Sequence, residues 1–153
     1  MNFQFKHWIL SILFTSCTLF FLIPSGFSQV YAKNGMVSSS SMIASEIGKN
    51  VLKKGGNAVD AAIATAFSMA VTWPTAGNIG GGGFLVYMNN EGKVTTIDFR
   101  EKAPLAAHDK MYLDENGELI NNLNHLNILA VGVPGTVAGL YLSHKKYGSL
   151  PWN

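Results

Sequence analysis

The stretch from Ala61 to Val71 is apolar on nearly every face (AAIATAFSMAV) and limits the fold more than any other part of the chain. A helix without a polar face needs cover on all sides, so this stretch predicts a helix buried all round. Asn57 can cap that helix, with Asp60 near its positive end. Pro74 interrupts the run after about 13 residues, which is nearer to a core helix than to a membrane span of roughly 20.

A second helix is predicted before it, between Ser38 and Lys54. The serines at its start can accept hydrogen bonds from free helix amides, and Ile43, Ile47 and Val51 recur at four-residue steps. This pattern predicts a one-sided helix. Gly55-Gly56 supplies the backbone freedom that ends it.

The remaining pattern adds strands and a last helix. Two apolar runs, 84–88 and 94–99, flank the turn sequence Asn-Asn-Glu-Gly at 89–92, which predicts a β-hairpin. Residues 111–126 are polar with weak periodicity and predict mostly loop with one short helix. A final helix is expected from Pro134 to Gly148. Helices and a hairpin together indicate an α+β fold.

The N-terminus has the layout of a secretory signal peptide. An uncharged apolar run, 8–23, follows a short head carrying Lys6 and His7. Cleavage needs small residues one and three positions before the cut; Val30-Tyr31-Ala32 before Lys33 fits this rule, and Gly26-Phe27-Ser28 before Gln29 is the rival site. We therefore expect a signal peptide over 1–32 and an exported chain, periplasmic or secreted, with no membrane attachment after cleavage. An uncleaved anchor is the alternative.

The mature part, 33–153, is one domain by length and lacks several kinds of chemistry. In the whole chain, 48% of the residues are hydrophobic and 13% are charged, which supports a packed core. The net charge of +2, without a basic stripe, gives no nucleic-acid footprint. The one cysteine, Cys17, lies in the signal, and His108, His125 and His144 lack zinc-ligand spacing, so no metal site is expected.

The glycine run Gly80, Gly81, Gly82 and Gly83 has two interpretations. Glycine amides can approach a ligand anion closely, but the run is followed by Phe84 and not by the Lys-Ser/Thr of a phosphate loop. A dinucleotide fingerprint leads from a strand to a helix, whereas here a helix precedes and a strand follows. The local chemistry favours a tight structural turn.

Arg100 stands where the second strand ends, a common place for a side chain that projects into a cleft. A guanidinium can bind a carboxylate through two parallel hydrogen bonds, so Arg100 could hold an acidic substrate. The alternative is that it pairs with Glu101, Asp98 or another protein carboxylate. The residues alone leave both interpretations open.

Five motifs follow one another in the mature chain: GGNAVDAA at 55–62, PT at 74–75, GGGGF at 80–84, DFREKAP at 98–104 and GVPGTVAG at 132–139, with YGSLPW at 147–152 after them. Their residues and order resemble the gamma-glutamyltranspeptidase family, whose members are also called glutathione hydrolases. The resemblance covers about residues 36–153 and an early, minor portion of the family's precursor.

The resemblance implies an N-terminal nucleophile hydrolase, an αββα sandwich that is incomplete in this chain. In that family one precursor cuts itself into two subunits, and the threonine that begins the small subunit attacks the γ-glutamyl amide of glutathione. The acyl group then passes to water, an amino acid or a peptide, without a cofactor. An N-terminal threonine suits this chemistry because its own α-amino group can serve as the base.

For the site, the resemblance implies one residue. Arg100 would hold the α-carboxylate of the γ-glutamyl group, whereas the nucleophile and the oxyanion-hole glycines belong to a later region, so no catalytic residue is expected in this chain. The glycines 80–83 would be structural, close to the floor of the site. We expect this chain alone to be inactive without the small subunit. The alternative is a non-enzymatic remnant that binds γ-glutamyl compounds weakly or does not fold stably.

Overall fold

The structure is a computed structural model that describes Trp8 and residues 30–152. The chain divides into two compact units, Met1–Lys33 and Asn34–Asn153. Most of the predicted signal peptide lies outside the described residues. No helix among the described residues is both long and apolar enough to span a membrane.

Helix α1 spans Met42–Lys53 and begins where Ser41 accepts a hydrogen bond from the Ala44 amide at 3.3 Å. The serine cap and the helix are thus confirmed, but the face that packs is not the predicted one. Ile43 and Ile47 are exposed, whereas the small residues Ala44 and Gly48 are buried. A side chain at Gly48 would overlap Thr65, so close helix contact selects the small residues.

Helix α2 spans Ala58–Thr72 and confirms the predicted cap. The Asn57 side chain accepts from the amides of Val59 and Asp60, and Asp60 accepts from the Asn57 amide at 2.8 Å. This reciprocal pair is a capping box. The expectation of burial all round is wrong at the far end of α2, where Val71 is 80% exposed.

The predicted hairpin is confirmed as antiparallel strands β1, Phe84–Met88, and β2, Val94–Asp98. Phe84 lies opposite Asp98 and Met88 opposite Val94. Gly92 has a φ of +79°, which a tight turn requires and which glycine adopts without strain. The pairing continues one residue further, because the Gly83 and Phe99 amides and carbonyls exchange two hydrogen bonds.

A long connection leads from the hairpin to the last helix. Within it, a 3₁₀-helix spans Ile128–Ala130, and Lys102 pairs with Val133 in an isolated antiparallel bridge. Helix α3 spans Thr136–Tyr147, two residues inside the predicted start at Pro134. The connection thus returns the chain to the end of β2.

The core lies where α2, α3 and the inner face of the hairpin meet. Its buried centre is Val59, Ile63 and Leu140. Half-buried aromatic residues surround that centre, and the rings of Tyr87 and Tyr147 stack with centroids 4.6 Å apart. Helices and strands pack together on one core in residues 34–152, as the α+β prediction requires.

Candidate functional site

Arg100 lies two residues after Asp98, the last residue of β2. Its backbone amide donates to the Asp98 carboxylate at 2.9 Å, and its side chain remains 64% exposed. The guanidinium carbon lies 5.9 Å from the centroid of the Phe84 ring, within the range of a cation–π contact. The strand end and this ring therefore direct the cation along the outer face of the hairpin.

The guanidinium of Arg100 has one hydrogen-bonding protein partner among residues 30–152. Its Nε atom lies 3.3 Å from Oε2 of Glu101, and neither terminal nitrogen makes a hydrogen bond or ion pair with a described residue. Pairing with Glu101, one of the alternatives that the sequence left open, is thus observed, but through Nε alone. The edge formed by the two terminal nitrogens is open, and that edge can bind a second carboxylate through parallel hydrogen bonds.

The surroundings of Glu101 favour its ionised form. Its own backbone amide has the largest effect and lowers the pKa of Glu101, burial opposes this, and Arg100 and the Gly82 backbone add smaller effects in the lowering direction. A carboxylate kept ionised in this way can orient the Nε side of Arg100.

The glycine run approaches the same strand end. A Cβ at Gly82 would lie 2.6 Å from the Glu101 amide nitrogen and 2.7 Å from the Arg100 Cα, and one at Gly83 would lie 2.9 Å from the Phe99 ring. Gly80, in contrast, has no heavy atom within 4 Å of that position. Gly82 therefore allows close backbone approach to Arg100 and Gly83 leaves room for the Phe99 ring, whereas Gly80 does neither.

Helix α3 closes the other side of the strand end. The amides of Gly135 and Thr136 donate to the Gly81 carbonyl at 2.8 and 3.1 Å. Gly135 contacts the Phe99 carbonyl so closely that any side chain would overlap it, and Gly139 packs on the Phe99 ring. A cavity of about 240 Å³, lined in part by Arg100, Lys102 and Pro134, borders this packing.

A second polar cluster joins α2 to the segment after α3, and the sequence did not predict it. The Asp60 side chain is 4% exposed and accepts hydrogen bonds from the Ser149 amide and hydroxyl, the latter at 2.6 Å, and from the Leu150 amide. The Asn57 side chain donates to the Tyr147 carbonyl at 2.6 Å. The capping motif at 57–60 was the only signal that could have pointed to it.

The electrostatics of this cluster favour the ionised carboxylate. Burial raises the pKa of Asp60, but hydrogen bonds from Ser149, Asn57 and Leu150 outweigh it, so the pKa lies below its usual value. Nε2 of His144 lies 2.8 Å from the Leu150 carbonyl and 3.7 Å from the carboxylate. Because a carbonyl only accepts, Nε2 carries the hydrogen in that contact.

The histidines, which the sequence does not predict to be ligands, are not brought together with Arg100. His144 belongs to the Asp60 cluster, and His108 and His125 lie in the connection after the hairpin. Within the described part of the chain, no group of three or more potential metal ligands is present.

The fold combines helices with a β-hairpin that packs on them. Glycine backbones pack around the end of the second strand, where the cationic side chain of Arg100 is placed. Arg100 is also the only arginine in the sequence. The sequence profile of the family described as Gamma-glutamyltranspeptidase matches residues 44–153, so the chain belongs to the gamma-glutamyltranspeptidase family.

Named relatives and solved structures agree with this assignment. The chain is 51% identical over 134 residues to the "Glutathione hydrolase proenzyme" of Pseudomonas sp. (strain A14), covering 88% of this chain and 23% of that protein. It is similar to Helicobacter pylori gamma-glutamyltranspeptidase, with a TM-score of 0.75 and 50% identity over 80% of this chain and 35% of that one.

A third match is the gamma-glutamyltranspeptidase from Pseudomonas nitroreducens complexed with L-DON, with a TM-score of 0.73 and 50% identity over 80% of this chain and 36% of that one. The chain therefore spans about a quarter of the length of the curated relatives that it matches.

Proposed function

We propose that this chain is part of an enzyme that cleaves the γ-glutamyl amide of glutathione and passes the acyl group to water, an amino acid or a peptide. Membership of the family and the name glutathione hydrolase carried by its relatives support the reaction class. The observation that carries the proposal for this chain is the open guanidinium edge of Arg100, in the motif at 98–104 that resembles the family.

In this proposal Arg100 holds the α-carboxylate of the γ-glutamyl group. Glu101 engages the Nε side of the guanidinium, which leaves the two terminal nitrogens for the substrate. Two parallel hydrogen bonds fix both the position and the orientation of a carboxylate, whereas an ammonium group fixes only its distance. The glycines 82 and 83 support this strand end and contribute no side chain to it.

The nucleophile comes from a threonine of the small subunit, outside the matched region, and residues 34–152 supply no catalytic residue. The outer face of the hairpin carries Phe84, Val86 and Met88, each more than 60% exposed. We propose that this face forms one inner surface of an αββα sandwich that the small-subunit part completes, because a sheet face of this composition needs apolar cover.

We also propose that residues 1–32 direct export to the periplasm or the medium and are then removed. The charge-free run 8–23 and the small residues before Lys33 support this. N-terminal sequencing of the protein recovered from outside the cytoplasm should begin at Lys33 or Gln29. A first residue of Met1 would support the uncleaved anchor instead.

The main experiment starts from the nucleotide sequence downstream of the Asn153 codon. It should encode the threonine segment, either in the same frame or in a neighbouring gene. The complete product, purified from cells without their own family member, should release glutamate from glutathione. A stop codon with no such segment nearby, or a complete product without glutathione cleavage, would overturn the proposal. The weakly binding or unstable remnant would then be the better account.

Arg100→Lys tests the residue assignment in the complete enzyme. The charge is kept but the bidentate geometry is lost, so kcat/KM for glutathione should fall by on the order of 100-fold. Lys93→Gln, which removes an exposed charge in the hairpin turn, serves as the matched control and should match the wild type. Unchanged kinetics in Arg100→Lys would show that the assignment is wrong.

A further inference from the structure

We propose that Thr136 and Asn78 form a latch that positions Arg100 for substrate binding. Here "the latch" means the hydrogen bond between these two side chains, together with the bonds from the Gly81 amide to Asn78 and from the amides of Gly135 and Thr136 to the Gly81 carbonyl. Neither side chain contacts the guanidinium, so both are positioning residues. The proposal rests on the proposed function of Arg100.

The latch joins the loop before the glycine run to the first turn of α3. The Thr136 hydroxyl donates to Oδ1 of Asn78 at 2.8 Å, and the Gly81 amide donates to the same oxygen at 2.8 Å. In return, the Gly81 carbonyl accepts from the amides of Gly135 and Thr136. Three of these hydrogen bonds link two segments that are 58 residues apart in sequence at the Asn78–Thr136 pair, and the fourth, from the Gly81 amide to Asn78, lies within the loop itself.

The latch acts on Arg100 through close backbone contacts. Gly135, on the α3 side, touches the Phe99 carbonyl, and Gly82, on the loop side, lies against the Arg100 Cα. Gly81 directly precedes Gly82, and Thr136 directly follows Gly135. The latch holds Gly81 and Thr136 together. The strand end at 99–100 is therefore clamped between two segments, and the latch sets their separation.

The Thr136 hydroxyl has a specific part in this arrangement. Thr136 is only 7% exposed, so its hydroxyl needs a protein acceptor, and Oδ1 of Asn78 supplies one. The Asn78 amide group in turn donates to the Ala76 carbonyl at 3.2 Å, which fixes the orientation of the side chain. Loss of the hydroxyl would leave the buried end of the latch with its backbone bonds alone.

The test uses the complete enzyme with Thr136→Val, which keeps the shape and removes the hydroxyl, and Thr136→Ser, which keeps the hydroxyl. Hydrogen exchange is followed in peptides covering 98–103, with the α1 peptide 42–53 as the internal control. Thr136→Val should raise exchange at 98–103 about fivefold, in line with the loss of one hydrogen bond. Thr136→Ser and the control peptide should match the wild type.

A second measurement compares glutathione with its analogue in which the γ-glutamyl α-carboxylate is a carboxamide. In Thr136→Val, kcat/KM for glutathione should fall about tenfold, mainly through KM, with little change for the analogue, because only the carboxylate needs the guanidinium fork. Equal losses for both substrates, or exchange at 98–103 equal to the wild type, would overturn the latch.

Two further outcomes, a Thr136→Val variant that does not fold and a wild type without activity, can be told apart from failure of the latch. If Thr136→Val does not fold, Asn78→Ala removes the same bond from an exposed position, together with the bonds of Asn78 to Gly81 and Ala76, and should give at least the same rise in exchange and the same selective loss. If the wild type does not cleave glutathione, the proposed function fails. The exchange measurement then decides alone whether the latch holds the strand end.

Discussion

Asp60 and Arg100 are two charged residues with opposite environments in the same unit. Asp60 is 4% exposed at its side chain and accepts hydrogen bonds from Asn57, Ser149 and Leu150, whereas Arg100 is 64% exposed and uses one nitrogen on Glu101. The first charge has its hydrogen-bonding capacity filled by the protein. The comparison shows that a charged side chain whose hydrogen bonds are all made within the protein stabilises the fold. A charged side chain with unused donors can still bind a ligand.

The largest effect on stability is expected from Asp60→Asn. In asparagine one carboxylate oxygen is replaced by an NH₂ group, which donates hydrogen bonds. The buried donors of Ser149 and Asn57 would therefore lose an acceptor. We expect a loss of about 3 kcal/mol in the free energy of unfolding. Urea unfolding followed by tryptophan fluorescence measures it, since Trp152 contacts the ring of His144 beside the cluster. A loss below about 1 kcal/mol would contradict the assigned role.

The pH dependence of stability tests the buried environment of Asp60. Because the pKa of Asp60 is lower in the folded state, its contribution is complete above the unfolded pKa, near 4, and is lost as the pH falls through the folded pKa. The wild type should therefore lose stability on going from about pH 5 to about pH 3 more steeply than Asp60→Asn. Parallel curves for the two proteins would count against this account.

Next in size is the effect of Gly82→Ala, which tests the packing beneath Arg100. The new Cβ would meet backbone atoms of residues 99–101, and we expect a loss of about 2 kcal/mol in the free energy of unfolding. Gly80→Ala, two residues earlier in the same run, meets no atom within 4 Å and should stay within about 0.5 kcal/mol of the wild type. If the two substitutions changed the free energy of unfolding equally, the difference in close contacts between Gly82 and Gly80 would not matter for stability.

A smaller effect is expected from Ser149→Ala. This change removes the hydroxyl donor to Asp60 and keeps the amide donor, so the loss should be about 1 kcal/mol. Ser149→Thr keeps the hydroxyl and is the control. Thermal unfolding of the two variants, compared at one pH near neutrality, gives the difference.

The smallest effect on stability is expected from Arg100→Ala. The side chain is exposed and has one ion pair at the surface, so the free energy of unfolding should change by less than about 0.5 kcal/mol. Binding of glutathione should nevertheless be lost in the complete enzyme, as calorimetric titration would measure. A strongly destabilised Arg100→Ala protein would remove the contrast with Asp60.

Local signals in the sequence predicted the elements well. The hairpin, the Asn57 cap and the last helix are set by turn residues, a cap and short-range periodicity, and all three are confirmed. The position of Arg100 at a strand end followed from the hairpin. Its partner Glu101 was one of the alternatives considered, because adjacent charges are visible in the sequence.

Features that depend on distant contacts were not predictable in the same way. The bonds from Ser149 to Asp60 join residues 89 apart, and neither residue carries a local sign of the other. The buried face of α1 was also assigned wrongly, since hydrophobicity pointed to Ile43 and Ile47 while close packing against Thr65 selected Gly48. Which face packs is decided by the partner helix, and periodicity alone cannot supply it.

The outer surface of the hairpin has a consequence for how the protein must be made. Four large apolar side chains, Phe84, Val86, Met88 and Val94, are exposed on a sheet that has two strands in the described residues. Unpaired strand edges beside such a surface are templates for pairing with other chains. Expression of these residues without the rest of a family precursor should therefore yield aggregates that chaperones or added charges such as Val86→Lys suppress.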